Sequence, residues 1–222
     1  MSVLGRVTTH VFGIFLMSLG VSLTIISGLG TTPISSLPVV VSAIGGLTVG
    51  TVTVLMNLVF VLVQIALLRR RYRPVQILQL LGGFLFGLLI DATTFALTAV
   101  SLDPGNYLQQ WLLALAGIVS MGVGVGFQVQ PQLINLPGEG LVLALTAELR
   151  RVVGPRRRLT FGTVKTLNDA AMLIIAVVLS LTFLGELVGV REGTVAAAFL
   201  LGYIAQATLR VLPESDRQST PG

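Results

Sequence analysis

The chain has 222 residues, of which 54% are hydrophobic and only 10% are charged, and its mean hydropathy is +0.93. Soluble domains carry about 25% charged residues, so this composition excludes the soluble class. The absence of cysteine excludes a disulfide framework, a thiolate metal site and a cysteine nucleophile, and the single histidine, His10, argues against a histidine metal site or triad. We therefore expect one all-α polytopic membrane domain over residues 1–222, without cofactor, metal or catalytic residues.

Eight apolar segments predict helices in chain order. Six are long enough to cross a hydrocarbon core of about 30 Å; they cover residues 8–27, 48–68, 75–98, 107–127, 160–184 and 192–210. The first of them lacks a clear signal-peptide cleavage site and is predicted to be a retained span. The tail, residues 213–222, is polar and is predicted to be disordered.

Two further segments, 34–44 and 137–149, are short, and each begins beside a proline (Pro33 and Pro137), a residue that suits the first turn of a helix. At 1.5 Å per residue they reach only about 16–20 Å, so they are predicted to be re-entrant half-helices. Backbone of this kind survives at membrane depth only where it faces protein or a wet cavity.

The basic residues predict the topology. Two clusters, RRRYR at 69–73 and RRVVGPRRR at 150–158, hold most of the 14 basic residues. With six spans and a cytoplasmic N-terminus, 12 of the 14 lie inside, Arg191 lies outside and Lys165 lies within a span. If all eight segments crossed, the two clusters would fall on opposite sides. The positive-inside rule therefore favours six spans in a cytoplasmic membrane with both termini in the cytoplasm.

The two halves of the chain, about 7–100 and 107–210, repeat one another. An offset of 104 residues places Pro33 on Pro137, and an offset of 115 places Gly87 on Gly202. Between them, an offset of 112 aligns LTVGTVTVL (47–55) with LTFGTVKTL (159–167). Each unit consists of a span, a half-helix and two further spans. Because three crossings are an odd number, the second unit is predicted to be inverted, an arrangement that recurs in transporters and channels.

These repeated segments also carry a resemblance. GLGTTPISSLPVVVSAIGGLTVGTVTVLMNL in the first half, and NLPGEGLVLAL with RLTFGTVKTLND in the second, resemble the YczE/YitT-type family of bacterial integral membrane proteins over about residues 10–206. The resemblance implies a membrane location and a fold more than an activity. More remotely, the chain is similar to the group that contains the vitamin-binding subunits of energy-coupling-factor transporters.

Charged residues at membrane depth cost at least about 2.5–3.5 kcal/mol each, so each one calls for a reason. Lys165 and Asp169 are four residues apart, on one helix face with Asn168 beside them, and Glu139 begins the second half-helix. We predict that these four residues line a pathway for a solute or proton. The alternative is structural: Lys165 neutralises Asp169, or pairs with Glu139 and holds the half-helix.

Asn135 and Gln128, which precede the second half-helix, are also predicted to line the pathway, and Gln128 alternatively satisfies the backbone of the half-helix. Three other polar residues are weaker candidates. Ser35 and Asn57 are the uncharged counterparts of Glu139 and Asp169 in the first repeat. Asp91, toward the end of the third span (75–98), is expected to cap a helix or to be solvated.

The leading functional hypothesis is a small-solute transporter or facilitator with a single polar site between inverted repeats. The alternative is a non-transporting solute-binding, regulatory or scaffold subunit that requires a partner complex, and a homo-oligomer is also possible. An intramembrane enzyme ranks third, because no nucleophile or metal set accompanies the carboxylates. The arginine clusters are expected to contact lipid headgroups, so we expect the bilayer and no nucleic acid as a partner.

Overall fold

The structure, a computed structural model, describes residues 2–154 and 159–212. The predicted disordered tail and the three arginines at 156–158 lie outside the described residues. Eight α-helices and two 3₁₀ helices (Arg69–Arg71 and Pro74–Leu78) occur within these ranges. The α-helices are α1 (Val3–Ile26), α2 (Pro33–Gly45), α3 (Val49–Leu68), α4 (Gln79–Ala99), α5 (Tyr107–Val129), α6 (Pro137–Val153), α7 (Phe161–Phe183) and α8 (Glu192–Val211).

Six of these helices, all except α2 and α6, are long and apolar enough to cross a membrane. Many large apolar side chains on them point outward; Phe95 and Phe199, for example, are each 77% exposed. Such a surface is stable only in lipid, since a soluble protein rarely exposes apolar patches of this extent. The prediction of an all-helical protein with six long apolar helices is confirmed.

The centre of the molecule is an antiparallel pair, α1 and α5, joined through glycines. A Cβ atom on Gly13 would lie 2.7 Å from the carbonyl oxygen of Gly124, and one on Gly20 would lie 2.5 Å from that of Gly117. No side chain fits at such distances, so the two backbones are in direct contact, as small residues permit in membrane helices. Gly13 corresponds to Gly117, and Gly20 to Gly124, at the offset of 104 residues. The contact therefore maps onto itself when the halves are exchanged.

The contacts of α4 with α1 and of α8 with α5 also correspond when the two halves of the chain are exchanged. Helix α4 runs parallel to α1, with Ser18 Oγ donating to the Phe86 carbonyl at 3.3 Å. Helix α8 runs parallel to α5, and a Cβ atom on Gly122 would lie 3.3 Å from the Leu201 carbonyl oxygen. Gly122 is Ser18 shifted by 104 residues, and Leu201 is Phe86 shifted by 115. The contacts thus keep the same register as the sequence repeat.

The helix directions show how the two short helices are placed. Helix α3 is antiparallel to α4, because Gly50 lies beside Gly87 while Gln64 lies beside Gln79. Helix α3 is therefore antiparallel to α1 as well. We call the face at which α1 begins the N-terminal face, and the face at which α1 ends and α3 begins the opposite face. The segment that contains α2 enters the molecule from the opposite face and returns to the same face.

The segment that contains α6 enters the molecule from the N-terminal face and returns to that face. Helix α5 ends there, with the Arg6 guanidinium donating to the Pro131 carbonyl just beyond it. The loop between α7 and α8 lies at the opposite face, where the Arg191 guanidinium donates to the Gly28 carbonyl at 3.0 Å. Helix α7 consequently begins at the N-terminal face, where α5 ends. The starts of the two short helices meet inside the molecule, since Ile34 Cδ1 lies 3.2 Å from where a Gly138 Cβ would be.

Helix α6 is longer than predicted. It continues to Val153, with 17 residues instead of 13, or about 25 Å at the helical rise. Its last turns are polar and reach the N-terminal face, where Arg151 donates to Glu148 and Arg71 lies 3.8 Å from the same carboxylate. The hydrogen bond from Arg151, together with both positive charges, lowers the pKa of Glu148 below its ordinary value. These ion pairs extend the helix beyond its apolar part.

Candidate functional site

The predicted polar cluster lies on α7, next to the meeting point of the two short helices. Lys165 Nζ donates to Asp169 Oδ2 at 2.8 Å, and the two side chains are 40% and 22% exposed. The i,i+4 spacing on one helix face brings the two groups together. Since both remain partly exposed, the pair is accessible from outside the helix bundle and is not sealed in a core.

Two atoms beside this pair have no partner in the described structure. They are Nδ2 of Asn168, whose residue is only 9% exposed, and Oδ1 of Asp169. A buried polar atom without a hydrogen bond costs about 1–3 kcal/mol. A buried donor and a buried acceptor on adjacent residues are therefore available to bind a polar group or water.

Glu139 belongs to the same region. It is the third residue of α6, and its carboxyl accepts a hydrogen bond from the backbone of Leu136, the residue that precedes the helix. The positive charge of Lys165 acts on the same carboxyl. Glu139 therefore caps the first turn of the short helix and joins the electrostatic field of the α7 cluster.

The positions of the first half that align with the cluster are uncharged, and each of them forms a hydrogen bond. Asn57 Nδ2 donates to the Gly83 carbonyl at 3.4 Å, and Thr53, the counterpart of Lys165, donates to the Val49 carbonyl at 2.8 Å. Ser35 accepts from the Thr32 hydroxyl at 2.9 Å. The two halves thus differ most in polarity at this place, where charges and unpartnered atoms lie on one side only.

Gln128 and Asn135 have surroundings of their own, different from those of the Lys165–Asp169 pair. Gln128 is 1% exposed, and its side-chain amide donates to the Ile134 carbonyl at 3.4 Å. Its backbone carbonyl oxygen lies 2.9 Å from Nδ1 of His10. Gln128 thus fixes the loop before α6. Asn135 is exposed and lines a cavity of about 360 Å³ at the N-terminal face.

Asp91, which was expected to cap a helix or to be solvated, caps the start of α3. It accepts from the Thr48 hydroxyl at 2.6 Å and from the Gly50 backbone N–H at 2.8 Å. A carboxylate at this place satisfies two donors at the start of α3 and complements the positive end of the helix dipole. Asp91 lies eight residues before the end of α4, which continues to Ala99.

A buried pair of glutamines holds the start of α6, and the pathway hypothesis did not include it. Gln64 Nε2 donates to the Pro137 carbonyl at 3.0 Å, and Gln79 Nε2 donates to Gln64 Oε1 at 2.9 Å. A single amide side chain in an apolar span, such as Gln64 or Gln79, indicates a hydrogen bond to a neighbouring helix. The sequence does not show which helix the amide binds, because that depends on the tertiary fold.

Two cavities of the described structure are lined by residues other than Lys165, Asn168 and Asp169. One cavity, of about 330 Å³, lies at the opposite face between the end of α1 and the α7–α8 loop. The other, of about 360 Å³, lies between α4 and α6. Among the described residues, no three side chains of the metal-ligating kind gather into a metal site.

Comparison with known proteins places the chain in a family. Residues 4–210 match the model of a family of unknown function, DUF6198. The chain belongs to this family. It is also similar to "Uncharacterized protein YyaS" of Bacillus subtilis (strain 168), with 31% identity over 150 residues, which cover 68% of this chain and 73% of that protein. No solved structure matches the chain. The resemblance to the YczE/YitT-type family stays a prediction.

Proposed function

We propose that this member of the DUF6198 family is a small-solute transporter or facilitator of a bacterial cytoplasmic membrane. The observation that carries the proposal is the Lys165–Asp169 pair, with the unpartnered Nδ2 of Asn168 beside it. The ion pair leaves this donor unused, so it is available to a polar ligand beside the two charges. The cluster suits a polar solute or a proton carried between Asp169 and Glu139.

The proposal includes a relation between the halves of the chain as two inverted repeats. The antiparallel course of α1 and α5 supports it, as do the glycine contacts that exchange at the offset of 104 residues. Two short helices that begin beside each other from opposite faces also support it. Sites of transporters with such repeats lie near the midplane, between the repeats.

The orientation of the protein is also part of the proposal, with the N-terminal face toward the cytoplasm. The arginines at 69–73, 150 and 151 lie at that face, as the positive-inside rule requires. Since the chain has no cysteine, Gly46→Cys and Gly154→Cys can be labelled singly in intact cells with a membrane-impermeant thiol reagent. We expect Gly46→Cys to react at once, and Gly154→Cys only after the cells are opened. The reverse pattern would contradict the orientation, and labelling of both in intact cells would contradict the six-span topology.

A subunit of a larger complex is the second candidate. Helices α7 and α8 are the least buried of the six spans, which leaves a broad face for a partner protein. A binding subunit would retain the polar cluster and would move no solute alone. Reconstitution of the purified protein distinguishes these two candidates.

The function is tested by ligand screening followed by uptake. Small polar solutes are screened for those that raise the melting temperature of the purified protein, and the same set is applied to Lys165→Ala and to Leu167→Ala. Leu167 lies on the same helix, is 63% exposed and serves as the control. We expect Lys165→Ala to bind any stabilising solute about tenfold more weakly or worse, since a hydrogen bond to a charged group contributes about 1.5–3 kcal/mol. Leu167→Ala should bind it as the wild type does.

The stabilising solute is then offered, in labelled form, to vesicles that contain the wild-type protein, and proton entry is followed in parallel with a trapped pH dye. Uptake into vesicles that lack any partner supports transport. Binding without solute or proton movement would favour the subunit. Equal binding to Lys165→Ala would show that the polar cluster is not the site.

A further inference from the structure

One contact of the first half has no counterpart in the second. Helices α3 and α4 pack tightly, and a Cβ atom on Gly50 would lie 2.1 Å from the Gly87 carbonyl oxygen. A Cβ atom on Gly87 would lie 2.6 Å from Val54 Cγ2. The Asp91 carboxylate closes the same junction by accepting from the backbone N–H of Gly50. We call this junction, formed by Gly50, Val54, Gly87 and Asp91, the first seam.

The equivalent residues of the second half are Gly162, Thr166, Gly202 and Gln206. Helices α7 and α8, which carry them, barely touch within the described structure. A Cβ atom on Gly202 would meet nothing within 4 Å, and one on Gly162 would meet only the Thr160 hydroxyl of its own helix cap, at 3.9 Å. All four residues are exposed. The surfaces that form the first seam are therefore present in the second half and lie apart.

The other major pairings of the first half do have counterparts. The α1–α4 contact corresponds to α5–α8, the α3–α6 contact to α7–α2, and the α2–α3 contact to α6–α7. The open seam is thus a local difference within a matched framework. Its two glycines keep the register of those that permit backbone contact in the first half.

We propose that α7 and α8 close against each other in a second conformation of the protein, through a second seam formed by Gly162, Thr166, Gly202 and Gln206. The structure described above is then the conformation in which the first seam is closed and the second is open. The first seam lies toward the opposite face and the second toward the N-terminal face. Exchange between the two states would expose the interior to one face at a time.

The open seam leads to the polar cluster. Asn57 lies next to the first seam, three residues after Val54 on α3, and donates to the Gly83 carbonyl of α4; its counterpart is Asp169. Closing the second seam would bring Ala198, the counterpart of Gly83, against Asp169 and cover the cluster from the N-terminal face. This inference rests on the repeat relation within the proposed function, but not on transport, because closure can be measured in a protein that moves no solute.

The chemistry of the two seams accounts for the state observed. Asp91 holds the first seam with charge-assisted hydrogen bonds, which are roughly twice as strong as neutral ones. Gln206 offers only a neutral carboxamide oxygen to the Gly162 N–H and the Thr160 hydroxyl. The first seam is therefore the more stable of the two. Because the Gln206 amide is neutral and binds more weakly, the second seam can open and close.

Disulfide trapping tests the proposal in the intact chain, which has no native cysteine. The distance between Gly87 and Val54 predicts that Thr166→Cys and Gly202→Cys come within disulfide reach on closure, which requires a Cβ–Cβ separation of about 3.5–4.5 Å. Both positions are exposed in the open state, so the double variant should fold. We expect oxidation in membranes to link the two cysteines within one chain. Thr166→Cys with Tyr203→Cys is the control, because Leu88, the counterpart of Tyr203, faces outward.

Two substitutions of Gln206, each added to the Thr166→Cys/Gly202→Cys variant, test the role of this side chain. Gln206→Asp copies Asp91 and should increase the linked fraction several-fold, whereas Gln206→Leu should reduce it. The proposal is overturned if both cysteines react with a maleimide and no intramolecular disulfide forms. It is equally overturned if Gly202→Cys alone gives a disulfide-linked dimer and the double variant gives nothing else, since a second copy then fills the space next to α7. Failure of solute uptake with successful trapping would reject transport and leave the second seam intact.

Discussion

Gly50 and Gly162 each occupy the second position of a helix, α3 and α7, yet one is tightly packed and the other is exposed. Each is the second residue of a helix whose N-cap threonine, Thr48 or Thr160, accepts from the backbone three residues later. The helix start is thus the same in both. Only the neighbouring helix differs, so that Gly50 touches the backbone of Gly87 while Gly162 faces open space.

Alanine at these two positions should therefore have unequal effects. Gly50→Ala inserts a methyl group 2.1 Å from the Gly87 carbonyl oxygen, and such overpacking costs about 1–3 kcal/mol. Gly162→Ala has space and gains up to about 1 kcal/mol of helix propensity. Thermal unfolding in detergent should show a lower melting temperature for Gly50→Ala and an equal or higher one for Gly162→Ala. Equal losses for both would mean that α7 is packed at Gly162 in the protein as it is purified.

At the residue scale, the sequence predicted the ion pair but not its surroundings. A spacing of four residues on a helix is enough to join Lys165 to Asp169. The unpartnered amide of Asn168 follows from how α7 lies against its neighbours, which local sequence does not encode. The hydrogen bond from Gln64 to Pro137 spans 73 positions and likewise depends on the tertiary fold.

At the element scale, hydropathy identified all eight helices, because membrane spans are defined by length and apolarity. The boundaries moved where polar contacts extend a helix. Helix α1 begins at Val3 instead of residue 8, since Ser2 caps its first turn. Helix α6 passes its predicted end because Glu148 and Arg151 form an ion pair in its last turns. Hydropathy does not register such contacts.

The packing of the short helices was less predictable than their existence. Proline at the first position marked where α2 and α6 begin. That the two starts lie together, through Ile34 and Gly138, depends on the long-range pairing of α1 with α5. A repeat in the sequence predicted related halves. The register of their contact came only from the structure.

At the scale of the whole molecule, two halves with similar helix pairings carry an asymmetric set of charges. Thr53 and Asn57 lie where the second half has Lys165 and Asp169, and the helix pair with the neutral residues is the closed one. In a closed second seam, an ionised Asp169 would face the carbonyl oxygen of Ala198, and neither atom donates a hydrogen bond. The charges that suit a binding site therefore also oppose closure.

The double variant Lys165→Thr/Asp169→Asn, which gives the second half the residues of the first, follows from this conflict. Asparagine donates to a carbonyl as Asn57 does, and the loss of two charges at membrane depth removes a cost of about 2.5–3.5 kcal/mol for each. In the background of Thr166→Cys and Gly202→Cys, we expect the variant to raise the disulfide-linked fraction and the melting temperature. Any solute that stabilises the wild type should no longer do so.

The single variant Lys165→Thr separates the two effects. It removes the cation and keeps a carboxyl group at position 169 in place of the donor amide, so binding should be lost while the linked fraction stays below that of the double variant. If the double variant still binds the solute, the polar cluster is not the binding site. A double variant with unchanged trapping would mean that the charges do not control the second seam. If both expectations hold, the residues that bind the solute are also those that hold the seam open, and a bound solute that satisfies Asp169 would favour closure over itself.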